Sequence, residues 1–314
     1  MHAVERRFLK LRQGPPDLRG AMSQAFSHVG ASVTDNDVRL GRLYQAGMAV
    51  AAAVDSEVVQ ALAAGKQELA YHNRHHFAEA TLAMGWLCAI ARERGAISLH
   101  QAVLGVIAMV GHDFRHDGSW TQTGVLEKIA ADGVVAIAAA AGVDDEDQLG
   151  LHSIILATAM PAVRANKIRA EELDRLGFTQ SGLDAVCLMA SEADVLTSLM
   201  PGLGCRLGYT LAAEWALQPG RPPIDPSSFA GRVAFLRLHD YLSDAAVELG
   251  LSRMHVSQFT AFSQFAVRSG GAAEPEVGAA LLDRLPLLQA VRAFAGMMLQ
   301  TSCKQPKPGQ SIRS

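Results

Sequence analysis

Cysteine is scarce, and its four positions, Cys88, Cys187, Cys205 and Cys303, include no C-x-x-C spacing. That excludes a disulfide scaffold and a thiolate zinc site; Cys88, inside the apolar run Trp86-Leu87-Cys88-Ala89-Ile90, reads as a reduced core residue. Basic charge is not in excess either. With a net charge of -3, 19% charged residues and a pI near 6.4, the chain offers no positive field for nucleic acid, and a small-molecule substrate is the default. The start, Met1-His2-Ala3-Val4-Glu5-Arg6-Arg7, is charged and lacks the apolar stretch of a secretory leader. Apolar stretches such as Gly133 to Val143 are too short to span a bilayer. A cytoplasmic protein with no membrane partner is therefore expected. Alternating strand-like runs bounded by turns are scarce, and no internal repeat is evident.

What is present is apolar spacing of three and four residues, rich in Ala and Leu. It predicts an all-α fold, a compact multi-helix domain, with helices roughly at 36–64, 72–95, 99–113, 122–142, 148–160, 167–175, 180–199, 202–217, 229–249, 253–269 and 276–300. Asp35 and Asn36 offer an N-cap, and Gln218-Pro219-Gly220-Arg221-Pro222-Pro223-Ile224-Asp225-Pro226 breaks the chain before Ser227 or Ser228 can cap the next helix. Residues 1–33, interrupted by Gly14-Pro15-Pro16, read as a loose lead-in, 34–303 as a single domain, and 304–314 as a disordered tail. Gly270-Gly271 reads as a turn. Exposed apolar helix faces suit a homodimer.

The chemistry concentrates in two clusters, Tyr71-His72-Asn73-Arg74-His75-His76 and His112-Asp113-Phe114-Arg115-His116, in a chain with only 11 histidines. On a helix, His72 and His76 would lie one turn apart on one face, as would His112 and His116. His112-Asp113 follows the apolar run Val103 to Val110, where an unpaired ionisable couple would be costly. Neutral nitrogen beside anionic oxygen suits Zn, Mn, Fe or Mg. His75 points about 100° away from His76 around a helix and reads as a partly exposed imidazole.

Tyr71-His72-Asn73-x-x-His76, His112-Asp113-x-x-His116-x-Gly118 and Glu192-Ala193-Asp194 resemble the motifs of the class I 3′,5′-cyclic nucleotide phosphodiesterase catalytic domain, within the HD-domain phosphohydrolases. The likeness runs from about Tyr71 to about Ser243. It implies a metal site at the centre of the helical bundle, where His76, His112, Asp113 and Asp194 hold a first ion, usually zinc. Asp113 would bridge to a second, usually Mg or Mn, held otherwise by water; iron is a further candidate. The implied reaction is hydrolysis of a cyclic nucleotide or related small phosphodiester by attack of a metal-bridging hydroxide, two cations also neutralising phosphoryl charge. His72 is the implied general acid, with Glu127 as the carboxylate that orients it. Tyr71, Asn73 and His116 would brace the site.

Two departures bear on substrate. Ala157-Thr158-Ala159-Met160 stands where the family has A-T-D-M, so a methyl replaces a carboxylate at Ala159. Arg232-Val233-Ala234-Phe235 is the local match to the Gln-x-x-x-Phe, or a closely similar pattern, that the family uses on the purine, with Arg at the Gln position. A guanidinium donates only, whereas an amide donates and accepts, so Arg232 is expected to meet an anionic group and Phe235 to form a stacking wall. The same ligands leave three other readings open: hydrolysis of a non-cyclic phosphate ester, iron–oxygen chemistry, and a low-turnover metal-binding scaffold or sensor.

Overall fold

Short-range polar signals set the helix starts. Asp17, Asp37, Asn73, Ser98, Ser228 and Ser243 each accept a backbone N–H from the first turn that follows, and Ser98 forms a reciprocal capping box with Gln101. The computed structural model describes residues 3–31, 37–120, 123–220 and 224–268. Among them the helices are α1 (Ala3–Leu11), α2 (Leu18–His28), α3 (Val38–Ala63), α4 (Arg74–Glu93), α5 (Leu99–Val110), α6 (Val125–Ala140) and α7 (Asp145–Leu156). They continue as α8 (Met160–Arg175), α9 (Gly182–Leu199), α10 (Pro201–Trp215), α11 (Phe229–Leu238), α12 (Asp244–Glu248) and α13 (Leu251–Arg268), with no strand among the described residues. The expected all-α class is what forms. Asp35 and Asn36, Cys303, the helix expected at 276–300, the Gly270-Gly271 turn and the tail 304–314 lie outside the described residues.

The chain divides into two compact units, Met1–Ser252 and Arg253–Ser314. In the first, α4, α5 and α9 pack on one another and form the core. Every residue of α5 from Ala102 to Val110 is buried, as expected of a helix enclosed by α3, α4, α7 and α9. Close approach depends on missing side chains: a Cβ at Gly85 would sit 2.9 Å from Cα of Ala25 in α2, and one at Gly111 would sit 2.5 Å from Val134 and 2.8 Å from Val50. In the second unit, α13 continues with Ser257 Oγ donating to the Arg253 carbonyl.

Three expectations change. Residues 3–31 are not loose: Phe8, Leu18, Met22, Ala25 and Phe26 are buried, and α2 packs along α4. Gly14-Pro15-Pro16 separates two helices rather than preventing them. The helix expected over 229–249 breaks at His239, because the amides of Leu242 and Ser243 bond the Glu192 side chain instead of a helical carbonyl. Finally, α3 is long and apolar enough, by length and composition, to cross a membrane, with a mean hydropathy of 1.3. It nevertheless packs on α2, α5 and α6. Its charges pair with other segments, Arg39 with Asp147, Arg42 with Asp144, Asp55 with Arg74 and Glu57 with Arg115.

Candidate metal centre

Three helices deliver four ligand atoms to one point. Asn73 Oδ1 accepts the amides of His75 and His76, so α4 starts at Arg74 and presents His76 from its first turn. α5 stops at Val110; Gly111 lets the chain pass between Val50 and Val134 and so places His112 and Asp113 just beyond the helix. Asp194 comes from the middle of α9.

His76 Nε2 and His112 Nε2 are 3.1 Å apart; each lies 3.1 Å from Asp113 Oδ2 and 3.2 Å from Asp194 Oδ1. All four atoms lie within 4.8 Å of one another, close enough for one ion to touch each of them. The His112 tautomer agrees. Its Nδ1 lies 2.9 Å from the Met109 carbonyl, which can only accept, so Nδ1 holds a proton outward and Nε2 is the nitrogen that would face an ion once its own proton is displaced. The imidazole side chains are 2% and 0% exposed and the carboxylates 12% and 22%, so the histidines form the more deeply buried side of the cluster. The donor set thus fits a divalent cation.

Charge is balanced within the cluster. Burial opposes a proton on His76, but hydrogen bonds to Asp113 and Asp194 prevail and push its pKa up to about 9. Burial likewise opposes charge on His112, whose pKa the neighbouring Asp113 carboxylate raises well above the ordinary value. Burial would raise both carboxyls, yet the charge on His112 and its hydrogen bonds hold Asp113 and Asp194 below the usual range.

Beside this cradle lies a second group. His72 is not on α4 but in the turn ahead of it, and its Nδ1 sits 2.5 Å from Glu214 Oε1 on α10. Glu214 Oε2 also accepts the amides of Tyr71 (2.8 Å) and His72 (3.1 Å). The carboxylate that orients His72 is therefore Glu214, not Glu127. Burial would raise the Glu214 carboxyl, and its bond to His72 holds it low. Burial raises the Glu127 carboxyl, and the charges of Asp113 and Asp194 add to this, so Glu127 looks on to the centre without being given a bond to His72.

The helical pairing expected of His112 and His116 fails for a local reason: the chain turns after Val110, with Arg115 at φ 66. His116 then stacks on His72, ring centroids 3.8 Å apart. Burial and the charge of His72 push its pKa down to about 4. Tyr71 packs against His72 and His76 and its hydroxyl meets Ser198 Oγ at 2.6 Å. Asn73 stands beside it as the cap of α4. His75 stands outside the cradle, while His152 pairs with Asp132.

Arg232 is placed otherwise than expected. It is buried, and its guanidinium donates to the carbonyls of Ser198 and Met200 (3.1 Å for the latter) at the end of α9, with its ring neighbour Phe235 at 5.9 Å. Phe235 in turn packs against His239 at 4.6 Å. Arg232 thus closes a helix end, and Phe235 sits with it. Ala159 is buried as the N-cap of α8. Glu214 escaped sequence reading because it has no local motif; its one signal is a lone carboxylate in the apolar stretch Leu211-Ala212-Ala213-Glu214-Trp215-Ala216-Leu217. No protein-family model matches this chain, and no curated protein matches it.

Proposed function

We propose that this chain is a metal-dependent phosphodiesterase acting on a cyclic nucleotide or a related small phosphodiester. The observation that carries this reading is the juxtaposition of the four-atom cradle with a carboxylate-held imidazole: the His72 and His76 rings are 5.8 Å apart. The motif resemblance from Tyr71 to Asp194 supports it.

His76, His112, Asp113 and Asp194 would hold the ion. A divalent cation supplies Lewis acidity and activates water near neutral pH. The chain's residues supply the rest. Glu214 fixes the Nδ1 proton of His72 and leaves Nε2 to give a proton to the departing alkoxide. The short stack with His116 sets the plane of that ring. Arg232 no longer argues against a purine base, since it is committed to α9.

The test pairs metal content with hydrolysis of cAMP, cGMP and bis(p-nitrophenyl) phosphate. Purified protein is expected to carry zinc, iron or manganese and to cleave at least one diester, and Asp113→Ala to lose both the ion and turnover. Stoichiometric metal in Asp113→Ala, or no turnover on any of the three with metal bound, would overturn the reading. The latter outcome would favour a metal-binding sensor, for which the methyl of Ala159 in place of a carboxylate is the supporting feature.

A further inference from the structure

Behind α9 the fold leaves a cavity of about 430 Å³ that the proposed reaction does not use. Ala185, Leu188 and Met189 of α9 line it, and on a helix these positions stand about 120–180° around from Asp194. No residue of the His76–His112–Asp113–Asp194 group or of the His72–His116–Glu214 group belongs to its wall. The volume suits a small organic molecule, whose sites run from about 300 to 1,000 Å³. Ala91 of α4 and Ala245 of α12 extend the apolar wall. Phe178 belongs to the lining although it is 63% exposed, which puts an aromatic ring where the cavity meets solvent.

The polar groups of the wall decide what it would take. Arg94, the one Lys or Arg in the lining, is already held by Glu248 at 2.9 Å and Asp244 at 3.4 Å. Glu171 and Asp174 of α8 also line the cavity, and among the described residues neither carboxylate forms an ion pair. Gln180 Oε1 is buried with no hydrogen-bond partner, an acceptor short of a donor. An anion would meet two unmatched carboxylates and no uncommitted cation, whereas a protonated amine answers both the charges and the amide oxygen. We propose that this cavity is a second small-molecule site, for an organic cation: an ammonium or guanidinium group carried on an apolar body. The body would lie on the apolar wall of α9, with the Phe178 ring beside the charge and an N–H donated to Gln180 Oε1.

The test is a fluorescence titration of the full chain with two probes that share a dansyl ring and an alkyl tether. Dansylcadaverine ends in an ammonium and dansyl-6-aminohexanoate in a carboxylate. The cation is expected to bind saturably, with blue-shifted emission, about 10-fold more tightly than the anion, and the margin should shrink as salt is raised. The double variant Glu171→Lys, Asp174→Lys should erase or reverse that margin. Gln180→Met should weaken the cation several-fold by removing its acceptor, and thermal denaturation confirms that each variant folds. Asp113→Ala should bind the cation as the wild type does, so failure of the metal reading would leave this result standing. No saturable binding of the cation, an anion bound as tightly, or a margin that survives the double variant would overturn the proposal. So would loss of binding in a folded Asp113→Ala protein, which would put the probe at the metal centre.

Discussion

At the scale of single residues, the two histidines of His112-Asp113-Phe114-Arg115-His116 have opposite jobs because their Nδ1 atoms meet opposite partners, a carbonyl for His112 and an amide for His116. The sequence shows two imidazoles at a spacing of four; only the partners reveal which nitrogen carries the proton. Glu214 and Arg232 lead to predictions of different kinds. Glu214→Gln should lower turnover about 10- to 100-fold by leaving His72 poorly oriented, with metal content unchanged. The loss should shrink for p-nitrophenyl esters, whose leaving group hardly needs a proton, and Glu127→Gln should show a smaller loss on all substrates. Measuring kcat against leaving-group pKa checks this, and an equal loss across leaving groups would make Glu214 merely structural. Arg232→Gln should instead act on stability. It leaves the Ser198 and Met200 carbonyls short of a charged donor, at a cost of about 1–3 kcal/mol by chemical denaturation, and the cAMP-to-cGMP ratio should stay where it was.

At the scale of elements, helix identity was legible wherever apolar spacing and a polar cap coincide: α5 after Ser98 and α11 after Ser228 begin where the sequence indicates. Tertiary bonds decided the rest. The turn carrying His72 is held by Glu214, 142 residues away, and the break after α11 by Glu192, about 50 residues away. Local pattern cannot register either. Glu192 also gives a pH dependence. Burial pushes its pKa from an ordinary 4.5 up to about 7, so the folded state binds an extra proton between those values. Stability should then fall as pH rises through this window and level off above it, by up to about 3 kcal/mol in all. Glu192→Gln should flatten that part of the stability profile; an unchanged profile from pH 5 to 8 would show that the amides of Leu242 and Ser243 already stabilise the anion fully.

For the whole molecule, the N-terminal helix is joined to both parts of the site by charge. Glu5 Oε1 accepts the amides of Gly202 (2.7 Å) and Leu203 (2.8 Å) and so caps α10, the helix that carries Glu214. Arg12 pairs with Glu79 through two hydrogen bonds, the second at 2.7 Å, and Glu79 lies one turn beyond His75 and His76 on α4. Glu79 is 1% exposed, so removing its partner strands a charge in the interior. Deleting residues 1–13 should therefore cost more than the loss of one surface helix; breaking such a buried pair alone removes about 3–5 kcal/mol. Within the shortened chain, Glu79→Gln should recover much of the lost stability, because a neutral amide removes the stranded charge while keeping the shape. Thermal denaturation of the full chain, the truncated chain and the truncated Glu79→Gln chain tests this. If Glu79→Gln lowered the melting temperature of the truncated protein further, Glu79 would be stabilised by another partner, and the N-terminal helix would contribute through apolar burial of Phe8 instead.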